Sequence, residues 1–364
     1  MYERELTDSC STSRGLDCEA RGRTFNCAVA RISSSLTMEW TYARAGVDIK
    51  KEHSVVKALS SQLTRPTDLR GFAGLFELPF DPLHLLAIST DGVGSKVLIA
   101  AKLDQWDTIG IDCIAMNVND IYCVGATPLA FVDYLALERP DERIAAEIGK
   151  GLDAGAVRAG IPIVSGETAI MPEVVKGVDL SGTCVGYVRR DKVIRGEQIE
   201  VGDLVLGMSS SGIHSNGLTL ARKVVEAAGL KYTDPFPPHP GRSIGEVLLT
   251  PTRIYTEVLE LLERCEVHGM AHITGSGFLK LRRITELGFE ISNPLEPHKI
   301  FTFLQALGRI PADEMYRTFN MGMGFAVVIP PSEETEARRL TKGEIVGEVV
   351  ARERGINVDG VSVI

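Results

Sequence analysis

Short apolar runs and helix-period segments alternate along both halves of this chain, and that alternation restricts the fold more than any other feature of the sequence. In residues 52–63 the apolar positions Val55, Val56, Leu59 and Leu63 recur at the spacing of one amphipathic helix. Residues 83–89 form a strand-length apolar run between Pro82 and Asp91-Gly92. Residues 107–125 read as a buried helix, capped by Asp107 or Thr108 and stopped near Gly125-Ala126-Thr127-Pro128. A strand at 129–137, a helix at 141–159 and strands at 161–164 and 180–188 are expected next. The polar stretch 191–202 is the expected boundary. Beyond it come a strand at 203–208, a helix ending at Ala228, a rigid connection at 235–240, a helix at 250–263, a glycine turn at 272–277, a helix at 278–287 and a strand at 325–329. The pattern predicts two α/β or α+β domains, 38–195 and 196–364, with a cleft between them, and 364 residues suffice for two cores.

Composition removes several functions. A net charge of −9 gives no broad basic field for a phosphate backbone, so nucleic acid is not an expected partner. No run of about 18 apolar residues appears, so no membrane partner is expected. The seven cysteines lack CxxC spacing, which indicates neither a zinc site nor a disulfide framework. Cys113, Cys123 and Cys184 lie inside apolar patterns, as reduced buried thiols of a cytosolic protein would. Residues 1–37 lack apolar periodicity and carry acids that a transit peptide would avoid; they read as a disordered extension, or as an artefact of start-site choice with Met38 as the first residue.

Three segments carry candidate chemistry, and a fourth adds a carboxylate. Ser209-Ser210-Ser211-Gly212-Ile213-His214-Ser215-Asn216-Gly217 combines hydroxyls, an amide, an imidazole and glycines, which suits either an anion-wrapping loop or a polar turn that caps the next helix. Thr90-Asp91-Gly92-Val93-Gly94-Ser95-Lys96 follows a strand: its carboxylate suits Mg²⁺ and its lysine a phosphate, although its glycines are not spaced as in the common phosphate loop. Asp112, Asn117, Asn119 and Asp120 interrupt an otherwise apolar helix, as a metal site or a helix-to-turn hydrogen-bond network would require. Ser165-Gly166-Glu167-Thr168 sets a carboxylate just after a strand, either at a ligand site or in the first turn of a helix.

In this order the segments resemble the phosphoribosylformylglycinamidine cyclo-ligase family, the aminoimidazole ribonucleotide synthetases of purine synthesis. Further matches are Tyr42-Ala43-Arg44-Ala45-Gly46-Val47-Asp48-Ile49, Gly74-Leu75-Phe76-Glu77-Leu78, Leu249-Thr250-Pro251-Thr252-Arg253-Ile254-Tyr255, Ala271-His272-Ile273-Thr274-Gly275 and Phe319-Asn320-Met321-Gly322. The likeness runs from about Tyr42 to the C-terminal region. Ser95, Ser165, Ile170, Ser276 and Phe278 depart from the usual residues, and the loop 172–180 is short.

The resemblance implies a two-domain aminoimidazole ribonucleotide synthetase-like fold, with an N-terminal ATP-binding domain whose sheet pairs into a barrel across a homodimer and a C-terminal α+β domain that closes the cleft. It implies an ATP- and Mg²⁺-dependent ligase that phosphorylates the formamide oxygen of formylglycinamidine ribonucleotide, after which an amidine nitrogen attacks that carbon and phosphate departs. Carried onto this chain, Asp91, Asp120 and Glu167 hold the metal, with Asn119 and Asp112 behind them. Lys96 meets phosphate, and His214 then His272 are the candidates for proton transfer or oxyanion stabilisation. Gly92, Gly94, Ser95, Asn119, Ser211, Gly212, Ser215, Asn216, Arg253, Thr274 and Gly275 complete the nucleotide and substrate contacts. The segment from Tyr42 to Ile49 is expected near the nucleotide. Sister enzymes fit less well. No reactive Cys of a selenophosphate synthetase lies between Cys27 and Cys113, the chain ends in Ile364 and not in the cysteine of a carbamoyl dehydratase, and Phe72-Ala73-Gly74-Leu75-Phe76 stands where thiamine monophosphate kinase carries a Gly-Asp-Asp segment. An inactive nucleotide-binding scaffold would have no chemical need for these residues together.

Overall fold

The computed structural model describes residues 39–63 and 71–364; the expectations for residues 1–37 lie outside the described residues. In the first half, β1 (Gly74–Leu78), β2 (Asp81–Gly92), β3 (Thr127–Leu137), β4 (Ile163–Ile170) and β5 (Val178–Arg189) form one sheet in the order β1-β2-β5-β3-β4. Only β3 and β4 pair in parallel. Strand alternation gives this sheet two unlike faces. Leu85, Ala87, Leu180, Cys184, Phe131 and Leu135 are buried on one of them. Phe76, Ile88, Tyr134 and Tyr187 lie exposed on the other, at 36–39 %.

Helices α1 (Ile49–Ser60), α2 (Val97–Leu103), α3 (Ile109–Tyr122) and α4 (Glu142–Ala159) accompany the sheet. Every residue of α3 is buried except Asp120. Its Ile121 presses on the sheet where a Cβ at Gly186 would come within 2.7 Å. On its other side α3 meets α4 backbone to backbone: a Cβ at Gly110 would stand 2.2 Å from the Leu152 amide nitrogen, and one at Gly151 would stand 2.5 Å from the Asp107 carbonyl. Asp141 caps α4 by accepting the Ile144 N–H at 3.0 Å.

In the second half, β6 (Leu204–Ser209) leads to α5 (Leu218–Ala227), the hairpin β7 (Pro235–Phe236) and β8 (His239–Ser243), then α6 (Ile244–Leu248) and α7 (Glu257–Arg264). β9 (Gly269–His272), β10 (Gly288–Ile291), α8 (Lys299–Gly308), α9 (Ala312–Thr318), β11 (Met323–Ile329), α10 (Glu334–Thr341), β12 (Glu344–Val350), β13 (Ile356–Val358) and β14 (Val361–Ser362) complete it. The sheet order is β14-β13-β10-β12-β6-β11-β9, and the strand β11 is buried throughout. The chain from Trp40 to Tyr42 straps onto this half: Trp40 N–H donates to Gly308 O at 3.1 Å, and Tyr42 N–H donates to Glu314 Oε1 at 2.6 Å.

The two-domain α/β and α+β expectation agrees with these sheets, but several local expectations do not. The helix expected at 250–263 begins only at Glu257, and residues 250–255 are an irregular loop. The helix expected at 278–287 is a 3₁₀ turn, Gly277–Arg283. The strand expected at 161–164 runs instead as Ile163–Ile170 and absorbs Ser165-Gly166-Glu167-Thr168, because those residues pair with β3 along an edge that tolerates polar side chains. The expected proline connection is the β7–β8 hairpin. Neither Asp107 nor Thr108 caps α3 through its side chain, and Gly217, with φ of 73°, stands at the start of α5 where a polar cap was expected. α1 forms, but Val55, Val56 and Leu59 are 59–67 % exposed.

Candidate active site

The polar residues of α3 build the junction between the two halves. Asp112 accepts from Thr252 N–H at 2.7 Å and from the Thr252 hydroxyl at 2.6 Å. Lys96 Nζ, fully buried, lies 2.9 Å from Asp112 Oδ1 and donates to Thr250 O at 2.7 Å. Asn119 Nδ2 donates to Arg253 O at 2.9 Å, while its Oδ1 accepts Tyr255 N–H at 3.1 Å. Asn117 stays within the first half, donating to Cys113 O at 2.9 Å. These contacts pull residues 250–255 out of helical geometry, since the Thr252 and Tyr255 amides are already engaged with side chains of α3. Of the two readings of the polar helix, the hydrogen-bond network describes Asp112, Asn117 and Asn119. Lys96 therefore does not face a phosphate: burial pushes its ammonium pKa down against the pull of Asp112, and it fastens one domain to the other.

Asp120 is the exception on α3. Its Oδ1 lies 2.9 Å from His272 Nδ1, and His272 Nε2 lies 3.3 Å from Asn119 Nδ2. Asn119 can only donate there, so Nε2 accepts and the imidazole proton sits on Nδ1, facing Asp120. Asp91, at the end of β2, accepts Gly92 N–H at 2.7 Å. Burial, then the charge of Asp120, raises the pKa of the Asp91 carboxyl. A carboxylate beside a second one suits Mg²⁺, which commonly takes one or two protein carboxylates and completes its shell with phosphates and water.

Glu167 does not join them. Asp91 and Gly182 are cross-strand partners, as are Gly182 and Asp133, and Asp133 and Gly166; this row shares one face of the sheet. Glu167, one residue on, faces the opposite side. Among the described residues no three His, Cys, Asp or Glu side chains gather closely enough to hold a metal.

The serine-rich loop is held by residues of the second half around it. The Ser211 hydroxyl donates to Pro251 O at 2.5 Å, Asn320 Nδ2 donates to Gly212 O at 2.9 Å, and Ser215 and Thr252 hydroxyls lie 3.0 Å apart. His214 is fully buried with φ of 62°, and its Nε2 accepts Ser211 N–H at 3.2 Å, which leaves the proton on Nδ1, a buried donor without a partner. Burial, reinforced by nearby positive charge, drives its pKa well below the usual histidine range. Asn216 reaches the turn after His272, where a Cβ at Gly275 would come within 2.9 Å of Asn216 Oδ1; Thr274 precedes that glycine and is buried. The Ser95 hydroxyl lies 3.1 Å from that of Thr219. Gly94, just before Ser95, turns the chain with φ of 65°. Arg253 donates to Ser209 O at 2.9 Å and pairs with Glu257. Of the departures from the family pattern, Phe278 is a core residue packed edge-on against Tyr316, with ring centroids 5.2 Å apart.

Sequence reasoning passed over Lys280 and Arg283, on the 3₁₀ turn after the glycines. Their charges lie 5.9 Å and 5.4 Å from the ring centroid of Phe72. The run Lys280-Leu281-Arg282-Arg283 was the available signal. Beside it opens a cavity of about 730 Å³ lined by Phe72, Cys123, Arg195, Arg282, Arg283 and Arg354 among others; none of the expected site residues lines it.

Residues 73–188 match the N-terminal domain of AIR synthase related proteins and residues 200–359 the C-terminal domain. The chain is 53 % identical over 326 residues to phosphoribosylformylglycinamidine cyclo-ligase of Methanosarcina barkeri, covering 87 % of this chain and 96 % of that protein. To the enzyme of the same name from Pyrococcus furiosus it is 49 % identical, covering 82 % and 91 %. Among solved structures, thiamine-monophosphate kinase of Stenotrophomonas maltophilia superposes with a TM-score of 0.57 at 18 % identity, covering 84 % of this chain and 95 % of that one. Phosphoribosylformylglycinamidine synthase II of Thermotoga maritima gives 0.58 at 18 % identity, covering 86 % and 48 %. At such identities the structural likeness establishes the fold alone.

Proposed function

The chain belongs to the phosphoribosylformylglycinamidine cyclo-ligase family, and we infer from that premise that it closes the imidazole ring of aminoimidazole ribonucleotide from formylglycinamidine ribonucleotide with ATP. It is thus an ATP-dependent ligase that forms a C–N bond in purine synthesis. Within the site, the observation that carries this reading is the carboxylate pair Asp91 and Asp120, set where the two domains meet and braced by His272. Asp91 and Asp120 would hold Mg²⁺, which supplies positive charge to the transferred phosphoryl group. His272 positions Asp120, and Asn119 fixes both the His272 tautomer and the loop 250–255. His214, buried within the second domain, shapes the serine-rich loop through its contact with Ser211. Gly92, Gly94, Ser95, Asn216, Thr274 and Gly275 would meet the nucleotide and the ribonucleotide.

The domain division at 195/196 belongs to the same reading, falling between β5 and β6. So does a homodimer: the sheet face bearing Phe76, Ile88, Tyr134 and Tyr187 carries exposed apolar side chains that a second copy would cover. Among the described residues no helix is long and apolar enough to cross a membrane.

The test is turnover of formylglycinamidine ribonucleotide with Mg-ATP, scoring phosphate and aminoimidazole together. Matched release of both is expected. Phosphate without aminoimidazole would move the chain to another ATP-using reaction, and binding of ATP with neither product would make it a scaffold.

A further inference from the structure

ATP brings several negative charges into the cleft, and a metal held by Asp91 and Asp120 neutralises only part of them. The lysine that the sequence offers as a counter-charge, Lys96, is enclosed and paired with Asp112. Another cation lies toward the acidic pair: the 3₁₀ turn that carries Lys280 packs against β9, whose His272 holds Asp120, and Arg283 sits on the same turn. Lys280 and Arg283 are three residues apart on a 3₁₀ turn, where side chains at that spacing eclipse and project to one side. Both lie over the ring of Phe72, which shortly precedes β1, the neighbour of the strand that carries Asp91 at its end. Burial, then the charge of Arg283, pushes the Lys280 ammonium pKa down, while Asp120 and Asp91 oppose that. Two like charges stacked on one aromatic ring oppose each other, and an anion between them offsets that repulsion.

We propose that Lys280 and Arg283, seated on Phe72, are the residues that grip the phosphates of the nucleotide opposite Asp91 and Asp120. This rests on the reading of the cleft as an ATP site. It also explains the placement of Phe72, since a flat apolar platform holds both long side chains in place and lowers the entropy lost when they close on the ligand.

The experiment is calorimetric binding of the non-hydrolysable analogue AMPPCP with Mg²⁺ to the full chain and to Lys280→Met and Arg283→Met, alongside the KM for each substrate. Each variant is expected to bind the analogue about 10- to 100-fold more weakly, the scale of one lost charge-assisted contact, with the ribonucleotide KM little changed. Lys280→Arg is expected to recover most of the affinity. Unchanged analogue affinity in variants that melt normally would overturn the proposal, and so would a loss confined to the ribonucleotide KM. Where a Met variant melts early, Lys280→Gln and Arg283→Gln serve the same comparison. Failure of the unaltered chain to close the ring would overturn the cyclo-ligase reading instead, while the binding comparison would still decide the two cations.

Discussion

Asp120 and Asp112 are eight positions apart on one helix, yet they do different work because one reaches the cleft and the other is sealed. Both were visible in the sequence as acids in an apolar helix. Which of them is free was not, because that depends on whether Lys96 and Thr252 arrive from elsewhere in the chain. The same holds for the lysines: Lys96 carried the motif, whereas Lys280 sits beside the acids. The half-buried pair His268 and Asp203 gives a pH prediction. His268 Nδ1 lies 2.7 Å from Asp203 Oδ2. Burial works against its charge, but Asp203 and Glu266 outweigh it and hold the imidazole pKa above the ordinary 6.5. A raised folded-state pKa means the pair's stabilisation is fully present below the unfolded value and is lost as pH rises through the folded one. His268→Gln should therefore lower Tm clearly at about pH 6 and hardly at all at about pH 9. Equal loss at both would show that the imidazolium does not contribute.

At the scale of elements, β2, β3, β5, β6 and β11 and the helices α3 and α4 were legible because apolar periodicity is a local property, whereas β1, β10, β12, β13, β14 and α8 were not foreseen. Residues 250–255 failed for the converse reason: the apolar spacing around Ile254 and Val258 suits a helix, but the backbone donors of Thr252 and Tyr255 are taken by Asp112 and Asn119. β4 failed because glycine, serine and glutamate look like a turn until β3 lies alongside. The α3–α4 crossing adds a requirement that periodicity does not carry. A Cβ at Gly155 would stand 2.9 Å from the side chain of Ile114 and 3.2 Å from the backbone of Ile111, so Gly155→Val has to push the helices apart. It should cost about 1–3 kcal/mol, read as a fall in Tm in a thermal melt. An unchanged Tm would mean that the crossing is looser than these distances require.

For the whole molecule, the sheet face bearing Phe76, Ile88, Tyr134 and Tyr187 stays exposed among the described residues. If a second copy covers it, Phe76→Lys with Tyr134→Lys should give a monomer by mass photometry, because two charges would be buried at the interface. A dimer that survives both changes would place the contact elsewhere. The order of motifs, the alternation of elements and the family were set by sequence, since each depends on residue type and local spacing. The partner of each polar side chain was decided only by the tertiary structure, because Lys96, Asn119 and His272 meet residues more than 130 positions away, and no local pattern records such contacts.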